Sequence, residues 1–307
     1  MLGQIVEINS TGKHLSKHRG HLQVSENSIV LGTVSFDTVL GIIVTGHGCT
    51  HSSNLIVECA NRGIPFVVCG NNYSPVAYML PVDGHHQQSM RMRQQLSASP
   101  VLKKQLWKSV VQAKISNQAW ALKMCKRDGH LVLEDFSAQV KTGDKNNMEA
   151  QAAARYWRYL MGEDFRRDTS DGGVNAMLNY GYAIIRSMVA RAVCGAGLHP
   201  TLGIHHIGGA NPMCLVDDLM EPFRPIVDCV VYNLSQQGNS QITTEVKKVL
   251  SNLTVLDMTT SKGVSPLFKV CSNYTVEVAK LYGGDGRCDL FPLEMPTIDS
   301  LEKIHKL

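Results

Sequence analysis

Three short segments, far apart in the chain, each offer a hard metal ligand: Glu149 in NNMEAQAAARYW, a histidine of the pair closing GLHPTLGIHH, and Glu221 in LVDDLMEPFRP. Asp217 and Asp218 stand just before Glu221. One imidazole with two or three carboxylates suits Mg²⁺ or Mn²⁺ and leaves positions open for water or phosphate oxygens. A soft metal would call for thiolates, which these segments lack. The chemistry such a site favours is phosphoryl transfer.

Each segment also has a plainer reading. Glu149 follows Asn146 and Asn147, either of which is a plausible N-cap, and an acidic side chain in a first helical turn is what the helix macrodipole favours. Ala152, Ala153 and Ala154 allow close packing, so Glu149 is expected to lie beside a neighbouring helix rather than in open solvent. His205 and His206 are adjacent, so their side chains diverge: one should point at the site and the other away, and spacing alone does not choose between them. Glu221 lies four residues after Asp217 and three after Asp218, which puts either aspartate on its helical face. Pro222 is tolerated only in a first turn, so that helix is expected to start near Asp217 or Asp218, one of which then serves as its N-cap. Arg224 has two options, an i+4 pair with Asp228 or a phosphate.

The elements that must position these residues fall into two groups. The first 82 residues read as short strands, Gln4–Asn9, His14–Lys17, His21–Ser25, Ser28–Leu31 and Val39–Val44, separated by Gly, Asn and Ser turns. One helix interrupts them, opening on the capping residues from Thr50 and closing on Asn61-Arg62-Gly63; strands Ile64–Cys69 and Val76–Leu80 follow, joined by a turn at 71–75. From Pro81 to Met92 the apolar periodicity lapses, and the linker is placed at 83–92. Beyond it the pattern is helical. Leu102, Leu106, Val110, Ala113, Asn117, Trp120 and Met124 trace a stripe that predicts a helix over 100–127. Met148–Leu160 and Val174–Gly195 give two more, and further helices are expected at 218–233, 241–252 and 262–282. The fold class is therefore α+β, with a small β-rich domain (1–82) and a larger all-α domain (93–307).

With 307 residues the chain suits two domains. A content of 44% hydrophobic and 18% charged residues is ordinary for a globular protein. The net charge of +4 is compatible with a polyanion but far from a histone-like tail. Residues 1–82 hold four basic and four acidic side chains, so the whole excess lies in 83–307, and a phosphate-binding surface is expected there unless the charge is only a solvated face. Nine cysteines form no Cys-x-x-Cys pair, and the odd count suits buried thiols in a reducing compartment. The chain opens without a signal-like segment and contains no apolar run of the roughly 20 residues that span a bilayer, so a cytoplasmic protein is expected.

At the residues already singled out, the chain resembles the CRISPR-associated adaptation integrase, the metal-dependent endonuclease often called Cas-one, in the form found in loci with a single large effector nuclease. The resemblance covers essentially the full length. It rests on Glu149 with its alanine-rich helix, on Asn175-Ala-Met-Leu-Asn-Tyr-Gly-Tyr-Ala-Ile, on Gly197-Leu-His-Pro-Thr-Leu-Gly-Ile-His-His206, and on Asp218-Leu-Met-Glu-Pro-Phe-Arg-Pro225 with Asp228. It implies that Glu149, His206 and Glu221 are the catalytic metal ligands for Mg²⁺ or Mn²⁺, with Asp218 an accessory carboxylate. The family histidine sits three residues after the motif glycine, here Gly203, which selects His206 over His205. It further implies a homodimer joined through the β-domains. Two such dimers would flank a dimer of a small ferredoxin-like partner, in a heterohexamer that inserts short foreign duplexes of DNA into the CRISPR array at the leader-proximal repeat. The large effector nuclease is a further candidate partner.

A metal held there would help a 3′-hydroxyl attack the repeat phosphate, a transesterification needing no external energy, and water in its place would give nuclease activity. Removing one ligand is expected to abolish most activity and leave the fold intact. Arg155, Arg158, Arg166, Arg167, Arg186, Arg191 and Arg224 are candidates for DNA-backbone contacts. Two rival readings use the same residues. A hydrolase of a small phosphoester predicts no DNA affinity, and a non-catalytic DNA-binding scaffold predicts salt-sensitive binding that survives Glu149→Ala or Glu221→Ala.

Overall fold

A computed structural model describes residues 4–70, 75–79, 81–82, 85–261, 263–285 and 295–304, with the side chains of 298 and 304 left aside. The expected turn at 71–75 lies almost wholly outside them, as do Leu80 and Cys288. The eight described cysteines are all free thiols.

The N-terminal strands form two four-stranded sheets. Strands β1 (Gln4–Ile8), β2 (His14–His18), β3 (His21–Glu26), β4 (Ile29–Ser35), β5 (Val39–Val44), β6 (Thr50–His51), β7 (Phe66–Cys69) and β8 (Pro75–Met79) appear in that order, with helix α1 (Ser53–Asn61) between β6 and β7. One sheet runs β1-β5-β7-β8 and the other β4-β3-β2-β6. In the first, β1, β5 and β7 are parallel and β8 closes the edge antiparallel. Parallel strands are covered on both faces and read as continuous apolar runs, as Val39-Leu-Gly-Ile-Ile-Val44 does. The twofold alternation then sorts their side chains. Ile8, Ile42, Val44 and Phe66 face the second sheet and α1, while Ile5, Ile43, Val67 and Cys69 join the core of the helical part.

This shared sheet makes the two parts one packed body. A polar tie reinforces it: Glu7 of β1 accepts hydrogen bonds from Thr45 and Tyr180 at 2.8 Å each and pairs with the buried Lys247 at 2.8 Å.

The helical part comprises α2 (Gln88–Ser97), α3 (Pro100–Met124), α4 (His130–Gln139), α5 (Met148–Met161), α6 (Gly173–Gly195), α7 (Cys214–Met220), α8 (Arg224–Gln236), α9 (Thr244–Ser251), α10 (Leu267–Tyr282) and α11 (Ile298–Ile304). A hairpin of β9 (Asp257–Thr260) and β10 (Gly263–Pro266) precedes α10. That hairpin corrects the helix expected from residue 262, since Pro266 ends the extended run and α10 starts only at Leu267. Helix α2 begins at Gln88, inside the stretch expected to be a linker, and α4 was not anticipated.

Helix α3 is more deeply placed than a single stripe implies. Leu106, Val110, Ala113 and Asn117 are buried as expected, but so are Trp107, Val111, Ile115, Ala119 and Leu122 on other faces. It is the central helix, with buried residues on several faces although it carries five lysines. Helix α6 is likewise buried along most of its length. At Gly181 a Cβ would come within 2.4 Å of Val227 Cγ1, so only glycine lets α6 approach α8 this closely.

Candidate functional site

Glu149 stands in the first turn of α5, and the expected cap is corrected by one turn of chain. Asn147, in the left-handed region at φ 53°, makes no side-chain cap; the Asp144 carboxylate instead accepts from the N–H groups of Met148 at 2.8 Å and Glu149 at 3.1 Å. The helix end is thereby fixed by a residue upstream, leaving the Glu149 side chain free to reach α3.

Glu221 enters by a break in helix geometry. Helix α7 starts at Cys214, and neither aspartate caps it. Glu221-Pro222-Phe223 then forms a single 3-10 turn before α8, because Pro222 and Pro225 each remove a backbone donor. Asn117 of α3 donates to the Pro222 carbonyl at 2.7 Å and pins this turn. Glu221 is driven inward, its side chain 8% exposed.

The two glutamates meet on Lys114, a residue the sequence reading did not single out. Its ammonium, on a side chain 14% exposed, lies 2.7 Å from Glu149 Oε1 and 2.5 Å from Glu221 Oε2. Arg224 takes the other Glu221 oxygen, with Nε 2.7 Å from Oε1, and spreads over the Tyr182 ring at 4.7 Å. Arg224 thus pairs with Glu221 rather than with Asp228. Burial alone would raise the Glu221 carboxyl, but the charges of Arg224 and Lys114 outweigh it and hold the group down at about 2. The same burial opposes the Lys114 charge, and Glu221 and Glu149 overcome it and raise the ammonium. Lys114 is one of five lysines in α3, and no local spacing sets it apart from the other four.

His206 is held by Asp218. That carboxylate, 0% exposed, accepts from the backbone N–H groups of Ile204 at 2.6 Å, His205 at 3.0 Å and His206 at 3.3 Å, and sits 2.6 Å from His206 Nδ1. Both its oxygens contact this loop, so Asp218 orients the imidazole. Donation from Nδ1 leaves Nε2 as the outward lone pair, and the Asp218 hydrogen bond, against partial burial, raises the imidazole's affinity for a proton. His205 points elsewhere, stacked on Trp107 at 4.2 Å with the rings 4° from parallel. Gly203 is required: a Cβ there would strike the His206 carbonyl at 2.1 Å and crowd Asp218 Oδ2 at 3.0 Å. Asp217 belongs to Arg186, which grips it at 2.6 and 2.9 Å.

A further carboxyl, Asp228, lies fully inside, accepting from Tyr182 and, at 2.9 Å, from Tyr156. Burial pushes it up to about 7 despite those hydrogen bonds.

Beside these groups lie two adjoining cavities of about 420 and 270 Å³, sharing Arg167, Thr169, Tyr182, Glu221 and Arg224. Asn175 and Asn179 of the α6 motif hold the Arg167 guanidinium at 2.9 and 2.6 Å. The other candidate arginines divide. Arg155, Arg158 and Arg166 are exposed on or just beyond α5. Arg191 instead donates to the Val39 and Leu40 carbonyls at 3.4 and 3.2 Å, tying α6 to β5.

Among the described residues no group of three His, Cys, Asp or Glu side chains is disposed to hold a metal ion as they stand, Lys114 lying between two of the expected ligands. The donor chemistry nevertheless suits a hard divalent ion. Glu221 Oε2 is buried without a hydrogen bond, its negative charge met only by an ammonium, and Glu149 reaches the same ammonium. Glu149, Glu221 and His206 Nε2 are the groups able to hold such an ion.

The CRISPR associated protein Cas1 family model matches residues 6–264. A CRISPR-associated endonuclease Cas1 from Neisseria meningitidis serogroup C is 36% identical over 242 residues, covering 78% of this chain and 79% of that protein. Among solved structures, a casposase bound to its integration product overlays with a TM-score of 0.78 at 19% identity, over 99% of this chain and all of the other. A Cas1 protein from Thermotoga maritima does so at 0.75 and 15%, over 92% and 98%. These two share the order of a β-rich and then a helical part, and the sequence relatives carry the assignment: the chain belongs to the CRISPR-associated Cas1 family.

Proposed function

We propose that this chain is a divalent-metal-dependent integrase and endonuclease of CRISPR spacer acquisition, joining a 3′-hydroxyl of a short foreign duplex to a phosphate of repeat DNA. The observation that carries the reading is the convergence of Glu149 and Glu221 on one cationic position, beside an imidazole oriented by Asp218. Bound Mg²⁺ or Mn²⁺ would supply charge to polarise the scissile phosphate and favour the ionised nucleophile. Glu149 and Glu221 would hold it through oxygen and His206 through Nε2. Asp218 keeps that ring in the Nδ1–H tautomer. Arg167 and Arg224, on the walls of the adjoining cavities, present positive charge to the phosphate, and the Asn175 and Asn179 amides keep Arg167 facing that space. In the joining step one phosphorus–oxygen bond forms to the incoming 3′-oxygen as another breaks, releasing the 3′-hydroxyl of the nicked strand. Water as nucleophile gives hydrolysis at the same place.

The assembly belongs to the same proposal: a homodimer through the β-rich part, two such dimers flanking a dimer of a small ferredoxin-like partner, bound to double-stranded DNA. Support comes from similar chains whose solved structures are a Cas6-RT-Cas1–Cas2 complex and an integration-product complex of a casposase.

The test is strand transfer of a 3′-hydroxyl duplex into a supercoiled plasmid carrying the repeat, with the small partner, with Mn²⁺, Mg²⁺ or EDTA, for wild type and Glu149→Ala. Metal-dependent joining that Glu149→Ala abolishes is expected. Joining that survives the substitution, or proceeds in EDTA, refutes the site.

A further inference from the structure

One charged side chain of the site has no task in that mechanism. Lys114 rises from the middle of α3 and bridges two carboxylates carried by different elements, Glu149 on α5 and Glu221 on the 3-10 turn. Among the described residues it is the sole cation paired with Glu149 and with Glu221 Oε2, since Arg224 is engaged with Oε1. The contact with Glu221 Oε2 is an ion pair largely shielded from water. Those oxygens are also the ones a divalent ion would need.

The charges of this group balance without any ion: Glu149 and Glu221 against Lys114 and Arg224. A divalent ion added on top would leave two uncompensated positive charges in a half-buried site, and the ammonium would repel it at van der Waals range. One cation must leave. Arg224 is held by its Nε hydrogen bond to Glu221 Oε1 and by the Tyr182 ring, whereas Lys114 is a flexible four-carbon stem that already lines the cavity shared with Arg167 and Arg224.

We propose that Lys114 is the resident counter-cation of the Glu149–Glu221 pair, holding the two carboxylates together in the metal-free protein and competing with the divalent ion for Glu149 Oε1 and Glu221 Oε2. The inference rests on the metal reading above. On displacement the ammonium turns into the cavity, where it adds to the charge offered to a phosphate.

The experiment is Mn²⁺ binding to the full DNA-free chain by titration calorimetry, with thermal melting in EDTA and in Mn²⁺, for wild type, Lys114→Met, Lys114→Gln and Glu149→Gln. Both neutral Lys114 variants are expected to bind Mn²⁺ at least tenfold more tightly than wild type, to melt lower in EDTA and to gain more from Mn²⁺. If Lys114→Met fails to fold, Lys114→Gln, which keeps a polar tip, carries the comparison. Glu149-dependent Mn²⁺ binding that is unchanged or weaker in the Lys114 variants overturns the competition and leaves the metal reading standing. Binding that does not depend on Glu149 in any variant overturns both.

Discussion

Replacing Asp218 by asparagine isolates its orienting role, because the substitution preserves shape and removes one acceptor oxygen and the charge. In the wild type one buried carboxylate accepts from three backbone N–H groups, at 2.6, 3.0 and 3.3 Å, and from His206 Nδ1 at 2.6 Å. An asparagine that keeps its oxygen on the Ile204 and His205 amides must turn its NH₂ toward Nδ1–H, a donor facing a donor. His206 then loses its anchor and adopts the tautomer with the proton on Nε2, the nitrogen needed outside. Hydrogen bonds to charged groups contribute about 1.5–3 kcal/mol each, so losing the ring contact and weakening the amide contacts should destabilise the fold by about 3 kcal/mol. With an unfolding entropy of about 2.1 cal/mol/K per residue, that is a fall in melting temperature of about 5 °C for this chain. Loss of an orienting partner typically lowers metal affinity or activity by about 10–100-fold. Strand transfer and Mn²⁺ titration, read beside a melting curve, provide the assay. Wild-type melting together with wild-type transfer for Asp218→Asn would refute the account of the loop and of the ring.

Removing the two glutamates should have unequal structural effects, contrary to the sequence expectation that either loss spares the fold. Glu221→Gln leaves Lys114 and Arg224 facing a neutral group in a buried setting and should destabilise by about 3–5 kcal/mol, whereas Glu149→Gln, at a side chain 24% exposed, should change urea stability by about 1 kcal/mol or less; equal losses would contradict the assigned burial. Asp228 has its folded-state value raised from 3.8 to about 7, so it favours the fold fully below pH 4 and loses that contribution as pH rises to 7. The gap corresponds to about 4 kcal/mol, and Asp228→Asn should flatten the stability profile over that range; a profile unchanged by the substitution sinks the assignment. Lys247→Met strips Glu7 of its cation while leaving the Thr45 and Tyr180 hydroxyls in place, and should lower stability by about 2–3 kcal/mol in urea denaturation, against no change if the tie between sheet and helices is idle.

Much of the architecture was legible because local pattern and burial agree. The Ile- and Val-rich runs of β1 and β5, the stops at Gly63 and Gly195, and the three-and-four spacing in α3 are properties of neighbours in sequence. The failures share a cause as well. Residues 257–260 and 263–266 pair as antiparallel strands stabilised by each other rather than by their own propensity, and the true cap of α5 is Asp144, placed by a turn containing Gly143 at φ 70°.

For the site, residue chemistry singled out Glu149, one of His205 and His206, and Glu221 as candidate hard donors, because ligand type is a property of the side chain, and the family resemblance chose His206. What those donors face is settled by the packing of α3 against α5 and against the 3-10 turn. Only that packing brings Lys114 between two glutamates 35 and 107 positions further along the chain. The placement of α7 against the 204–206 loop likewise turns both oxygens of Asp218 onto that loop, and the packing of α6 on α7 and β5 commits Arg186 to Asp217 and Arg191 to the β5 carbonyls. Contacts between residues distant in sequence depend on how helices cross, and no local spacing encodes that.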